Sequence, residues 1–501
     1  MKKSIFLLAY VLIVSNFCSA QLKPIWDTAV YSGDVLPELL VLENGQYLTI
    51  TRHNKDRSVA NAWKFDADGA VILHDSIDFN FTISACGKCL EEIDSNRIIY
   101  AQTLFQSSDT VSVQLVEFDA QLNILKSKKY RFQDSLKSQI WGLHKFSDSL
   151  IYITGYVYRE VNRFSLLLAC FDTAFNLKWE REYKRPGNTV GGYWGFDVEP
   201  TSDKGFLLGA LNTTFPNSPT IIKGQILKVD SVGILQWSKI INPKKTTHFG
   251  TSGVQLGKRT DGKYIYVGEE LINSDNSRMR FGIINEMGQT LKDTLLGPTI
   301  HDFGTFGFTK TLDGNFVTGG GTLENGMQGH VYKFSEDGDS IWHRFYSYGD
   351  PQDGSALYSL KSTADTGLIM AGAFFDTYNN PTNRGLYNWI LKVDKHGCDS
   401  PGCDDIGLLE KSSANIHLAF YPNPAKDNLN LKWVNSENSR LGILNLEIYN
   451  LHGQLMIQKD LESETGVIRK IDVSDLKPGH YLLKLSDDKR VWETEILSIQ
   501  Y

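Results

Sequence analysis

The sequence predicts an all-β chain: a seven-bladed β-propeller followed by a small Ig-like β-sandwich. Three observations carry this. One unit returns along the chain at a period of about 50 residues. Its strands are joined by Asp/Asn-Gly turns of the hairpin kind. Near residue 399 the period stops, and short strands of another pattern begin.

The clearest copy covers residues 201–237. A polar turn, Asp203-Lys204-Gly205, precedes an apolar run ending at Gly209. A second run, Ile226 to Val229, enters Asp230-Ser231-Val232-Gly233, and a last short run ends at Trp237. The first turn recurs at Asn44-Gly45, Asp94-Ser95-Asn96, Ser147-Asp148, Asp261-Gly262, Asp313-Gly314 and Asp365-Thr366-Gly367. The second recurs at Asp66 to Gly69, Asp119 to Asn123, Asp172 to Asn176, Asn285 to Gly288, Ser335 to Gly338 and Asp394 to Gly397. Each of the seven copies has room for four short strands, the unit of a propeller blade. In Asp230, Gly233 and Trp237 the aspartate opens an Asx turn, the glycine supplies φ > 0, and the tryptophan docks the outer strand between blades. Calcium at Asp66 and Asp68 is the rival reading, but no twelve-residue calcium loop completes it.

Bulk properties narrow the class. The 501 residues exceed one small domain, and 12% aromatic content suits strand-rich proteins. A net charge of −7 removes the basic face that nucleic acid needs. The first 20 residues read as a signal peptide. Lys2-Lys3 precede the apolar stretch Ile5 to Val14 and the small-residue site Cys18-Ser19-Ala20, so the mature chain is expected to begin at Gln21. Lipidation at Cys18 is the alternative, against which Phe17 stands. No later apolar run reaches 18 residues, so no transmembrane span is expected.

Residues 21–398 form the expected propeller. Trp26-Asp27-Thr28-Ala29-Val30 matches the fourth strands at Trp179 to Tyr183, Trp237 to Ile241 and Trp342 to Tyr346. The seventh copy lacks a fourth strand, so the N-terminal segment is expected to supply it and close the ring. Long connections fall on one face and short turns on the other. Cys86 and Cys89 are expected to pair, as are Cys398 and Cys403, because an exported protein meets oxidising conditions. A zinc site is the alternative, though the spacing fits no standard pattern. Cys170 reads as a buried small hydrophobe.

Residues 399–414 read as a linker and 415–501 as a β-sandwich. Its strands fall at Leu429 to Trp433, Leu446 to Tyr449 and Tyr481 to Leu485, with turns at Leu451 to Gln454 and Lys477 to His480. YPNPAKDNLNL, LEIYNLHGQLM and IDVSDLKPGHYLLKL together resemble the type A C-terminal sorting domain of the Bacteroidetes type IX secretion system, over about residues 418–500. Tyr421, Pro422, Asn423, Pro424, Gly453, Leu476, Gly479 and Tyr481 fall on that family's motif positions. The resemblance implies Sec export, passage of the outer membrane through the type IX machinery, and removal of this domain, leaving a secreted or surface-displayed protein. With it goes the Asp-Ser/Thr O-glycosylation sequon, here at Thr28, Ser76, Thr110, Ser135, Ser149, Thr173, Ser231, Thr294 and Ser340.

Catalytic motifs are missing: no G-x-S-x-G, H-E-x-x-H, P-loop or dinucleotide fingerprint occurs. No catalytic residue, metal site or cofactor is expected. Aromatics among glycines, Tyr193, Trp194, Phe303 and Phe306, are the expected ligand platform on the long-loop face. The reading is a monomeric propeller that binds a glycan or protein. An extracellular polysaccharide hydrolase or lyase is one alternative, favoured by a central carboxylate cluster, and a structural surface component is another.

Overall fold

The computed structural model describes residues 25–31, 37–53, 56–84, 88–107, 110–132, 135–147, 149–160, 163–185, 191–214, 221–241, 250, 253–324, 326–349, 353–376, 385–399, 416–435, 444–450, 454–461, 468–486 and 491–500. Among them every regular element is a β-strand. The chain divides into two compact units that meet between Cys403 and Asp404.

In the first unit the strands form antiparallel sets, four strands each within residues 38–78, 137–183, 191–240, 255–301 and 307–346, five within 82–130 and three within 354–393. These are called here, in chain order, the first to seventh blades. Their inner strands are Glu38–Val41, Leu90–Asp94, Lys137–Ser147, Gly191–Pro200, Gln255–Lys258, Gly307–Lys310 and Gly354–Ser362. Each inner strand lies against that of the next blade, and the seventh lies against the first, so the ring is closed. The outer strand of the seventh blade is Trp26–Tyr31, paired antiparallel with Tyr387 to Lys392 from Trp26↔Lys392 to Tyr31↔Tyr387. A sheet edge is thereby covered by chain from the other end of the ring.

Turn chemistry places the tryptophans. Asp230 Oδ1 accepts the N–H groups of Val232 (3.0 Å) and Ile234 (2.8 Å). Gly69 and Gly233 have φ of 87° and 79°, and a Cβ on them would stand 2.4 Å from Trp26 and 2.7 Å from Trp179. Each turn thus supplies a flat floor on which the preceding blade's tryptophan lies. Trp26 Nε1 donates to the Ala67 carbonyl at 3.1 Å, and Trp237 Nε1 to that of Glu286 at 3.0 Å.

A second device recurs inside the blades. Lys228, Lys333 and Lys392 on the third strands are buried, and each reaches the aspartate of its own blade's first turn. The pairs are Lys228–Asp203 at 2.7 Å, Lys333–Asp313 at 2.7 Å and Lys392–Asp365 at 2.5 Å.

Cys170 is a buried free thiol; Cys89 and Cys398 are buried as well. Their expected partners, Cys86 and Cys403, lie outside the described residues. Ser135, one of the sequon positions, is buried with its hydroxyl on the Phe132 carbonyl (2.7 Å), so it cannot carry a glycan in the folded chain.

The second unit is a β-sandwich. Ile416–Tyr421, Asn428–Asn435 and Arg469–Asp472 make one sheet. Leu455–Leu461, Leu444–Asn450, Gly479–Ser486 and Val491–Ile499 make the other. They share a core of Leu429, Leu446, Ile448, Leu476, Tyr481 and Leu483. Two sorting-motif residues are therefore core residues, and Tyr481 also donates its hydroxyl to the Lys477 carbonyl (2.8 Å). Asn423 Oδ1 accepts the Ser498 N–H at 2.8 Å, while Tyr421 is exposed and Gly453 lies outside the described residues. The Tyr421-Pro422 and Asn423-Pro424 bonds are cis.

Candidate functional site

Strand register brings one residue of each inner strand into a common layer around the axis. Leu40 pairs with Leu48, Glu91 with Ile99, His144 with Tyr152, Glu199 with Leu207, Gly257 with Ile265, Thr309 with Val317 and Lys361 with Ile369. These second-strand partners occupy equivalent places in the repeat. The residue before each member of the layer is apolar and buried in all seven blades: Leu39, Leu90, Leu143, Val198, Leu256, Phe308 and Leu360. Alternation along a strand therefore separates a packed layer from a polar one.

Both layers, Leu40 apart, line a cavity of about 320 Å³ on the ring's axis. Its charged lining is Glu38, Glu91, Asp197, Glu199, Lys88, Lys258, Lys310 and Lys361, with His144. Some of these groups hold the ring together. Lys88 reaches from the second blade to Asp197 of the fourth (3.1 Å) and Gln255 of the fifth (2.5 Å). Asp197 also accepts the Leu256 N–H at 2.8 Å. Glu38 is 3% exposed, and one of its oxygens accepts the Cys89 N–H at 2.9 Å. Lys310 pairs with Glu336 at 2.7 Å.

Other groups are left for the void. The second oxygen of Glu38 and Nε2 of His144 are buried with no hydrogen-bond partner among the described residues. A buried orphan polar atom is costly unless something else satisfies it. Burial pushes the Glu38 and Glu199 carboxyls up to about 8, helped at Glu199 by the neighbouring Asp197 charge, and pushes Glu91 upward too. Burial also holds His144 down at about 4, so its imidazole is neutral at pH 7. Among the described residues, no three His, Cys, Asp or Glu side chains converge as metal ligands.

The four aromatics expected as a platform part company here. Phe303 is fully buried, its ring 4.6 Å from that of His330. Tyr193 is buried between the third and fourth blades with Tyr152 and Leu166. Neither presents a face to a ligand, which corrects the expectation for both. Trp194 is half-buried, 5.5 Å from Tyr156 and 5.4 Å from Phe164, ring centre to ring centre. Phe306 remains exposed, lines the cavity, and sits edge-on to Tyr358 at 5.5 Å.

Sequence reasoning missed the charged layer. The signal was available: the residue three or four positions before each first turn is acidic or basic or His in four of seven copies (Glu91, His144, Glu199 and Lys361), where a blade core takes small or apolar residues. Three bulges hid it. Register shifts at Ile140/Gly142, Gly195/Asp197 and Leu357/Ser359 reverse the alternation just ahead of the layer.

Residues 419–499 match the family described as a secretion system C-terminal sorting domain. No curated protein matches the chain. Three solved structures are similar at low identity. One is a protein of unknown function from Dyadobacter fermentans (TM-score 0.43, 10% identity, 73% of this chain and 98% of that one). Another is an α-L-arabinanase from Penicillium chrysogenum (0.41, 8%, 74% and 98%). The third is the extracellular domains 1–2 of Drosophila Semaphorin 1a (0.41, 10%, 76% and 90%). Nothing about this chain's chemistry follows from them.

Proposed function

We propose that this protein, exported by its type IX C-terminal sorting domain to the cell surface or the extracellular space, binds a hydroxyl-rich ligand of sugar size in the axial cavity of its propeller. The observation that carries this is the set of unsatisfied polar groups around the void, Glu38 Oε1 and His144 Nε2 above all. Hydroxyl groups are both donors and acceptors, so they suit a mixed ring of carboxyls and imidazole. Phe306 and Tyr358 supply an apolar edge for the C–H face of a sugar. The volume lies at the small end of ligand sites, roughly 300–1,000 Å³. Trp194, half-buried between rings, serves this reading as a support and not as a contact.

The test is a glycan array followed by calorimetric titration of the full chain. One glycan class should bind, and Glu199→Gln or His144→Ala should each weaken it by about tenfold or more with the melting temperature kept. Binding that ignores both substitutions would place the site elsewhere.

A second reading, hydrolysis of a glycosidic bond in the same cavity, draws on Asp197 and Glu199. They stand two residues apart on one strand. Asp197 is ion-paired with Lys88, while burial keeps the proton on Glu199 near neutral pH. Paired carboxyls held in different protonation states are the equipment of acid–base cleavage. Release of reducing ends from a bound polysaccharide, abolished by Glu199→Gln, would establish it; binding without turnover leaves the first reading.

A further inference from the structure

We infer that the axial cavity takes the end of a glycan chain, its terminal unit foremost, and excludes the internal units of a linear polysaccharide; this rests on the reading of the cavity as a sugar site.

Topology closes every side of the cavity. Its lining is drawn from all seven inner strands or the residues just ahead of them. Each of those strands lies against the next, and the seventh lies against the first. The wall is therefore continuous around the axis, with no open side through which the middle of a chain could be laid. A groove accepts a chain sideways. A closed ring accepts it only along the axis, and only a free end can start along that path. The tip of a branch is such an end too.

The levels of the wall set the direction of the ligand. Phe306 and Tyr358, edge-on to each other at 5.5 Å, form the apolar level. Thr309 follows Phe306 by three residues and Lys361 follows Tyr358 by three, and both belong to the polar layer. At the rise of a strand that separates the two levels by about 10 Å along the sixth blade. The separation is shorter on the seventh, where the bulge at Leu357/Ser359 compresses the strand. A ligand that meets both levels must extend that far down the axis. A chain lying across either mouth would touch one level and leave the other, and the buried, unpartnered Nε2 of His144 belongs to the polar one. The cavity's 320 Å³ stands at the bottom of the range for small-ligand sites, so it houses a terminal unit with little of the chain behind it.

The test is calorimetric titration of the full chain with xylan, galactan, β-glucan and polygalacturonate, each as the intact polymer and as its di- to hexasaccharides. For the class that binds, affinity should level off by the trisaccharide. The polymer should titrate by its molar concentration of chain ends, so that fragmenting it at constant mass raises the binding equivalents in proportion to the new ends. Thr309→Phe fills the polar level and should weaken the shortest binding oligosaccharide by about tenfold or more, whereas Thr309→Ser should keep it. Melting temperatures within a few degrees of the parent show that both variants are folded; if Thr309→Phe does not fold, the counting of ends decides. Binding equivalents that follow polymer mass, or affinity that keeps rising to the hexasaccharide, overturn the inference and leave the sugar site standing. So does a folded Thr309→Phe variant that binds as the parent does. If no sugar of the panel binds, both the inference and the reading beneath it fall.

Discussion

Glu38 shows how one residue's surroundings set its chemistry. The same carboxyl that would ionise near pH 4.5 in the unfolded chain keeps its proton to about pH 8 in the ring, because burial removes the water that stabilises the anion. The folded state therefore binds the proton more tightly. The stability from this group is full below about pH 4.5 and is lost as pH rises through about 8. Glu38→Gln keeps an acceptor for the Cys89 N–H and has nothing to ionise. The variant's advantage in unfolding free energy should grow between pH 5 and 9, reaching on the order of 2–4 kcal/mol. Parallel denaturation curves across that range would show the burial cost is met in another way. His144 and His343 run in the opposite sense. Both sit at about 4, so their contribution is present above about pH 6.5 and is lost as pH falls toward 4. Trp194 makes a second residue-scale case. Wedged against Tyr156 and Phe164, it should behave as a packing residue, and Trp194→Ala should cost about 3–5 kcal/mol. A variant that melts like the parent and has lost glycan binding would instead make it a contact.

At the scale of the element, the two devices that hold a blade differ in their vulnerability. The tryptophan floor is shared between neighbours, whereas the lysine–aspartate pair lies within one blade. Asp365→Ala would leave Lys392 buried without its partner, and losses of about 3–5 kcal/mol attend such a change. Chemical denaturation of the full chain measures it, and a loss below about 1 kcal/mol would mean that water replaces the carboxylate. The closing strand is the more consequential element. Removing residues 21–32 strips Trp26 from its contacts with Tyr47, Phe65 and the Ala67 carbonyl, and bares the edge from Tyr387 to Lys392. The truncated protein should aggregate or melt well below the parent, read by light scattering and calorimetry. A monomer with unchanged melting would show that the three remaining strands of the seventh blade suffice.

The whole molecule is a ring plus an export module, and the two are expected to part after export. The sorting domain has its own core, so it can leave without unravelling the propeller's. Mass spectrometry of surface protein from the native cell should find no peptide reaching Tyr501. Retention of that residue would mean that the domain stays as an anchor. Ring closure is also what creates the axial cavity. Its lining residues come from all seven inner strands, the farthest of them, Glu38 and Lys361, from opposite ends of the propeller sequence.

The sequence alone determined the repeat, the place of each turn, the strand that closes the ring and the sorting domain. All of these rest on short-range chemistry: aspartate accepting nearby N–H groups, glycine at φ > 0, tryptophan at a constant offset, and a motif with its own turn residues. Local rules are written locally, so they survive without coordinates. Tertiary structure alone decided the site. Glu91, His144, Glu199 and Lys361 stand about one repeat or more apart, and only a closed ring makes them neighbours. It also decided which aromatics are exposed. In a strand a shift of one residue reverses every side chain, and the bulges at Gly195/Asp197 and Leu357/Ser359 impose such shifts where periodicity alone expects none. Phe303 and Phe306 lie in the connection ahead of Gly307–Lys310, where the fold buries the first and leaves the second at the cavity.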